Sequence, residues 1–175
     1  MSDATFSPRE VFTHCVQIGA VVRNLDEKIK VLTEIFGIGP FRILEWPPEG
    51  RTGMQKSYYD QPGRFTARMA FAELGAIELE LIEPREGPSI WADFLEQHGE
   101  GIHHVRFNVD QEQPVVDYLA GHGIVAAQRG LGIRKGTTWA NFDTQDKVGF
   151  TIEIMQAVAG TDGRTPQIVD GKVVE

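Results

Sequence analysis

The sequence predicts an α+β fold in which two copies of a βαβββ module form one curved, mixed sheet shaped like a cup. Two observations support this. Each half of the chain opens with a β-rich run, continues with a helical pattern and ends in further strands, and both halves carry polar residues at corresponding strand positions. We expect the first module at 12–84, a linker with a short helix at 85–101, the second module at 102–158 and a tail at 159–175.

The first module is predicted from a strand, a capped helix and three later strands. Residues 13–22 are β-rich, and Asn24 is placed to cap a helix, with Glu27 at the capping-box spacing. Apolar residues then recur at helical intervals until Gly37 ends the helix. The later strands are predicted at 41–46, 64–74 and 77–83.

The second module repeats this order. Asp110 is the expected helix cap, and the Gly-rich, charged tail from 159 onward is expected to be extended or partly disordered. The strands of this module are predicted at 103–109, 124–128, 137–142 and 149–156.

Composition limits the classes of partner. The chain has 175 residues, of which 41% are hydrophobic and 24% charged, as is usual for a globular chain with a buried core. Its formal net charge is −8. Without a basic footprint we expect neither nucleic acid nor a membrane surface as partner.

The cellular location is predicted from what the sequence lacks. Residues 1–10 contain no apolar stretch like that of a signal peptide, and no apolar run approaches the roughly 18 residues of a membrane span. Cys15 is the only cysteine, so no intrachain disulfide can form. We therefore expect a cytoplasmic protein.

Strand alternation places four potential ligands at matched positions of the two modules. In the first strand of each module Gln17 and His104 point away from the predicted helix, and in the last strand Glu80 and Glu153 do the same. If the modules pack about a pseudo-twofold axis, these side chains converge inside the cup. The alternative is that this face is simply exposed to water, as in many antiparallel sheets.

One imidazole, one amide and two carboxylates suit a single divalent metal ion. Mn²⁺, Co²⁺, Ni²⁺, Fe²⁺, Mg²⁺ and Zn²⁺ all accept such donors. Four ligands in an octahedral shell leave two adjacent positions for a substrate with neighbouring oxygens. The catalytic base is expected to be Glu153 or Glu80, with Glu153 preferred, or else Asp60 from the irregular segment 47–63.

Three further residues are candidates for substrate binding. Arg106 lies two positions beyond His104 on the same face, where it either binds a carboxylate or phosphate or forms a salt bridge within the sheet. Tyr58 and Tyr59 belong to the 47–63 insertion, which is expected to be a short edge strand or a mobile flap. They either line or cover the cup or pack on the surface.

The chain resembles the vicinal-oxygen-chelate superfamily over about residues 12–158. The resemblance is carried by the stretches 17–27, 77–84, 98–105 and 152–154. It implies a glyoxalase/bleomycin-resistance/dihydroxybiphenyl-dioxygenase-like cup that bears a metal. Members include methylmalonyl-CoA epimerases, glyoxalase I, extradiol dioxygenases and metal-free drug-binding proteins.

Matching positions to the superfamily puts the metal ligands at Gln17, Glu80, His104 and Glu153, and not at His14 or His103. This set looks like that of glyoxalase I, whereas the stretch 80–105 is more similar to methylmalonyl-CoA epimerase. Val21 and Pro84 stand where glyoxalase I binds glutathione. Residues 64–68 lack the catalytic Glu of the epimerases.

The sequence and the resemblance together predict a metal-dependent isomerase or lyase. It would abstract a proton next to a metal-chelated carbonyl of a small carbonyl or acyl-thioester substrate, in epimerase-like action first and glyoxalase-like isomerisation second. The alternative is a metal-free small-molecule-binding protein on the same scaffold. A homodimer is possible because one edge of the cup is expected to be uncovered.

Overall fold

The structure is a computed structural model that describes residues 7–49, 56–161 and 163–174. Its helices are α1 (Pro8–Val11), α2 (Leu25–Phe36), α3 (Ile90–Gln97), α4 (Glu112–Gly121) and α5 (Gln145–Val148). Its strands are β1 (Cys15–Val21), β2 (Arg42–Trp46), β3 (Lys56–Tyr58), β4 (Gln61–Pro62), β5 (Ala67–Leu74), β6 (Ile77–Pro84), β7 (Gly101–Val109), β8 (Ala126–Leu131), β9 (Thr138–Phe142), β10 (Thr151–Gln156), β11 (Gln167–Val169) and β12 (Lys172–Val174).

One mixed sheet carries both halves of the chain. Its strand order is β2-β5-β6-β1-β7-β10-β9-β8-β3-β4. Strand β1 lies parallel to β6, and β7 lies parallel to β10. The antiparallel pair β1–β7 joins the two halves at the centre. This curved mixed sheet with a few helices confirms the predicted fold class.

The two main helices begin differently. The Asn24 side chain accepts a hydrogen bond from the Glu27 backbone N–H at 3.1 Å, and Gly37 ends α2 in the left-handed conformation with φ 69°, both as predicted. The predicted Asp110 cap of α4 is wrong. The residue before this helix is Gln111, which makes no side-chain cap, and the Glu112 N–H is satisfied by the Gln156 side chain at 2.8 Å.

The 47–63 insertion crosses from the first half of the sheet to the second. Its residues 50–55 lie outside the described part of the chain. Beyond them, β3 pairs antiparallel with β8, which belongs to the second half. The edge-strand alternative is therefore observed, and the insertion connects the two outer ends of the cup.

The C-terminal tail is folded, contrary to the expectation of an extended segment. Strands β11 and β12 form a hairpin around Asp170 and Gly171, whose φ angles are 50° and 73°. Asp-Gly between two alternating runs is a strong signal for such a turn, and it stands in the sequence. Ile168 and Val173 pack against the apolar interior of the cup, which holds the hairpin in place.

The cup has apolar layers on both faces. Outside, α2 and α4 cover separate clusters that include Leu25 and Leu81 in the first half and Leu119 and Ile154 in the second. Inside lies an aromatic cluster of Trp46, Phe65, Trp91 and Trp139, each at most 6% exposed. The concave side is thus an aromatic chamber above the central strands.

Candidate active site

Four neighbouring strands each bring one polar side chain to the same point inside the cup. His104 Nε2 lies 3.2 Å from Glu80 Oε2, 3.3 Å from Gln17 Oε1 and 3.6 Å from Glu153 Oε2. Gln17 and His104 are fully buried, and Glu80 and Glu153 are only 7% and 6% exposed. The predicted convergence is observed, and the water-exposed alternative is wrong. That these residues bind a metal remains a prediction.

Gly19 makes room for the His104 ring. The two residues face each other across β1 and β7. An ideal Cβ at position 19 would lie 2.0 Å from His104 Cε1, so a side chain there is incompatible with the observed ring position. The sequence analysis missed this role, although a glycine inside a strand often marks such a close approach.

A second layer of polar contacts orients Gln17 and Glu153. Gln17 Nε2 donates to Glu78 Oε1 at 2.8 Å, which leaves the Gln17 carbonyl oxygen facing His104. Asn141 Nδ2 donates to Glu153 Oε2 at 2.9 Å. Strand alternation places Glu78 on the same face as Glu80, but it does not reveal which residues contact Glu78.

His104 has a polar partner at its second ring nitrogen. Its Nδ1 lies 3.1 Å from His103 Nδ1. Burial, together with the neighbouring His104 and His98, lowers the pKa of His103 well below its ordinary value. His103 is therefore neutral, and it lines a second, more polar cavity.

The pKa values of His104 and Glu80 are both raised, for different reasons. Burial acts to lower the pKa of His104, but the charge of Glu153 and the hydrogen bond and charge of Glu80 outweigh it, so the pKa is raised. Burial raises the pKa of Glu80, and His104 offsets part of that effect. His104 and Glu80 thus hold protons more tightly than the same groups in water.

A small cavity of about 50 Å³ opens above these residues. Glu80, Glu153 and Arg106 line its floor, and three tryptophans of the aromatic cluster line its wall. Residues 161 and 163–166, here called the strap, close it from above. A water molecule needs roughly 10–15 Å³ of such space, so the cavity holds a few waters or a small group of similar size.

Arg106 is one of three arginines that line this cavity, with Arg134 and Arg164, and it is only 2% exposed. Its Nη2 donates to the Gly163 carbonyl oxygen of the strap at 3.0 Å and lies 3.9 Å from Glu78 Oε1. Its Nε has no hydrogen-bond partner among the described residues. Both alternatives for Arg106 are thus partly present: a weak internal ion pair and an unused donor in the cavity.

The structure does not bring the candidates of the insertion to this cavity. The Tyr58 hydroxyl donates to Asp93 Oδ2 at 2.7 Å, a bond that raises the pKa of Tyr58 to about 12. Tyr59 is 46% exposed and lines the second, more polar cavity. Asp60 lies in the exposed turn before β4. The exposure of Tyr59 and Asp60 fits the surface alternative, whereas Tyr58 is partly buried against the aromatic cluster inside the cup.

The donor set fits a divalent ion by its chemistry, but it is not a finished coordination sphere. Within residues 7–49, 56–161 and 163–174, no three or more His, Cys, Asp and Glu side chains are arranged as a ready metal-binding group. The imidazole nitrogen itself sits among the three oxygens. An ion bound here would take the place of any proton on His104 Nε2.

Comparison with protein families decides the relationship. Residues 16–142 match the family described as Glyoxalase/Bleomycin resistance protein/Dioxygenase superfamily. The chain belongs to this superfamily. The predicted resemblance is confirmed. Curated protein sequences give no significant match.

Several solved structures share this fold at low sequence identity. Methylmalonyl-CoA epimerase from Mycobacterium tuberculosis is 19% identical, with TM-score 0.59, and the match covers 87% of this chain and 92% of the epimerase. A Streptomyces coelicolor methylmalonyl-CoA epimerase variant in complex with 2-nitronate-propionyl-CoA is 19% identical, with TM-score 0.61 and coverages of 84% and 99%. A hypothetical protein from Bacillus halodurans C-125 is 18% identical, with TM-score 0.60 and coverages of 85% and 97%.

None of the helices in the described ranges combines the length and apolar character needed to cross a bilayer.

Proposed function

We propose that this superfamily member is a metal-dependent isomerase or lyase that removes a proton next to the carbonyl of a small carbonyl or acyl-thioester substrate. Epimerase-like action is the first choice and glyoxalase-like isomerisation the second. One observation carries the proposal: Gln17, Glu80 and Glu153 each place an oxygen within 3.6 Å of His104 Nε2 at the floor of a buried cavity. The fold of the epimerase neighbours supports it.

The four side chains would hold one divalent ion, Mn²⁺, Co²⁺, Ni²⁺, Fe²⁺, Mg²⁺ or Zn²⁺. Such an ion would supply Lewis-acid stabilisation of the oxyanion that forms as the proton leaves. Side chains of the protein itself would remove the proton. Glu153 takes the proton, because Asn141 holds its Oε2 and leaves Oε1 free to accept. Glu80 is the alternative base, since burial raises its pKa toward the working pH.

The cavity restricts the substrate. Its aromatic wall excludes water, and its floor offers the Arg106 guanidinium to an anionic group such as a carboxylate. With about 50 Å³ of space, only the reacting end of a thioester would fit below the strap. The carrier would lie outside, and the strap would have to shift to admit the acyl group.

Proton exchange tests the reaction directly. The full-length protein, loaded with Co²⁺ or Mn²⁺, is incubated in D₂O with α-branched acyl thioesters and with 2-oxoaldehyde adducts. Deuterium at the α-carbon, lost in Glu153→Gln while the metal is retained, supports the proposal. No exchange with any of these substrates overturns proton abstraction.

The second candidate is a metal-free small-molecule-binding protein. The aromatic chamber around Trp91 and Trp139 and the absence of a ready metal-binding group in the described ranges favour it. Metal analysis of protein purified without added ions separates the two. A stoichiometric ion that is lost in Gln17→Ala and His104→Ala supports the enzyme, whereas no ion and unchanged ligand binding in those variants supports the binding protein.

A cytoplasmic location, a homodimer and the absence of nucleic-acid and membrane partners complete the proposal. The net charge of −8 supports the last of these. Size-exclusion chromatography with light scattering tests the assembly.

A further inference from the structure

We propose that Glu78 is a positioning residue that fixes the side-chain amide of Gln17 with its carbonyl oxygen toward the site. The inference rests on the proposed function, because it concerns Gln17 as a metal ligand. It goes beyond that function by assigning a role to a residue outside the ligand set.

The argument starts from the two ends of an amide. The NH₂ end of Gln17 can only donate hydrogen bonds, and only its carbonyl end can bind a cation. Gln17 is fully buried between strands, so water cannot satisfy a misplaced end. Whatever contacts the amide on its far side therefore decides which end faces His104.

Glu78 supplies that contact. An ionised carboxylate only accepts hydrogen bonds, so it selects the NH₂ end of Gln17, as the 2.8 Å bond from Gln17 Nε2 to Glu78 Oε1 shows. The carbonyl oxygen is left 3.3 Å from His104 Nε2. If the amide were reversed, its NH₂ group would face the site and repel a cation.

The Glu78 carboxylate is itself held in place. It is fully buried, and Arg42 Nη2 donates to its Oε2 at 2.5 Å. Thr165 Oγ1 donates at 2.7 Å to the same Oε1 that receives the Gln17 bond. Both neighbours donate to the carboxylate, so its oxygens act as acceptors in this network. A role limited to neutralising Arg42 is the competing explanation.

Glu78→Gln separates the two roles. Its new amide can also donate, so the Gln17 amide is no longer forced into one orientation. We expect Co²⁺ affinity, measured by competition with a chromogenic chelator, to fall about 10- to 100-fold, the usual effect of losing an outer-shell partner. Glu73→Gln is the matched control, because Glu73 pairs with Arg42 at 3.7 Å but does not contact Gln17.

A compensating substitution makes the test independent of folding. A carboxylate at position 17 presents an oxygen in either orientation, so Gln17→Glu combined with Glu78→Gln should restore Co²⁺ affinity to within about threefold of the wild type. Gln17→Glu alone places two carboxylates at the 2.8 Å contact and should bind poorly or melt early.

The outcomes are distinct. Weak binding by Glu78→Gln, normal binding by Glu73→Gln and recovery in the double variant support the positioning role. Unchanged affinity in Glu78→Gln overturns it, as does a folded double variant that fails to recover. If Glu78→Gln does not fold, the double variant decides alone, and its failure to fold or to bind Co²⁺ overturns the inference. A wild type that takes up no Co²⁺ overturns the proposed function and this inference together.

Discussion

Replacing Gly19 with alanine should displace His104 from the site. The added Cβ would lie 2.0 Å from His104 Cε1 and 2.3 Å from Nε2. The ring would have to retreat by roughly 1.4 Å, the difference between the first distance and the 3.4 Å of an ordinary contact. His104 Nε2 lies only 3.2 to 3.6 Å from the oxygens of Glu80, Gln17 and Glu153, so a shift of this size breaks these contacts.

The expected cost follows from overpacking. Forcing a methyl group into a filled interior costs about 1–3 kcal/mol. For a chain of this length that corresponds to a Tm lowered by roughly 2–12 °C. Because His104 is also the only nitrogen donor of the proposed ligand set, Co²⁺ affinity should fall by at least about tenfold.

Gly101→Ala is the control for this variant. Gly101 lies on the same strand as His104, and nothing stands within 4 Å of its ideal Cβ. Its unfolding free energy should stay within about 0.5 kcal/mol of the wild type. Calorimetry and chelator competition on both variants check the prediction. A Gly19→Ala protein that melts with Gly101→Ala and binds Co²⁺ as the wild type does would refute the reasoning.

Three other substitutions test the chamber around the site. Trp91→Ala removes a side chain that is 3% exposed, which should lower the free energy of unfolding by about 3–5 kcal/mol. The Tm measured by calorimetry should then fall by roughly 6–20 °C, and a fall below about 2 °C contradicts this. Arg106→Gln should weaken malonate binding about tenfold or more in titration calorimetry while Co²⁺ binding persists, and equal malonate affinity speaks against a carboxylate site. Ile168→Asp places a charge where Ile168 packs on the interior cluster and should release the C-terminal hairpin. Trypsin should then cleave at Arg164 and Lys172 faster than at other sites, as measured by mass spectrometry, and uniform cleavage rates contradict this.

The candidate ligands were predictable because their positions obey a local rule. Strand residues alternate between faces, so Gln17, Glu80, His104 and Glu153 could be assigned to one side of the sheet from sequence alone. The repeated order of elements then implied that the two modules face each other. The same rule placed Glu78 and Arg106 on the inner face without revealing their partners.

The assignments that failed involve residues whose partners lie far away in the chain. The start of α4 depends on Gln156, 44 residues away, and not on a capping residue beside it. Tyr58 lies beside the second module because its strand, β3, pairs with β8. The hairpin of the tail was signalled by Asp170 and Gly171, but that it packs into the cup depends on the apolar interior it meets.

By itself, then, the sequence determined the doubled βαβββ order and the side of the sheet on which each polar residue lies, since both follow from periods of two and about 3.6 residues along the chain. Only the tertiary structure decided that the His104 ring lies against Gly19 and that Glu78 accepts a hydrogen bond from the Gln17 amide. It also decided that the strap lines the cavity. These contacts depend on strand register and on segments distant in sequence, which no local pattern encodes.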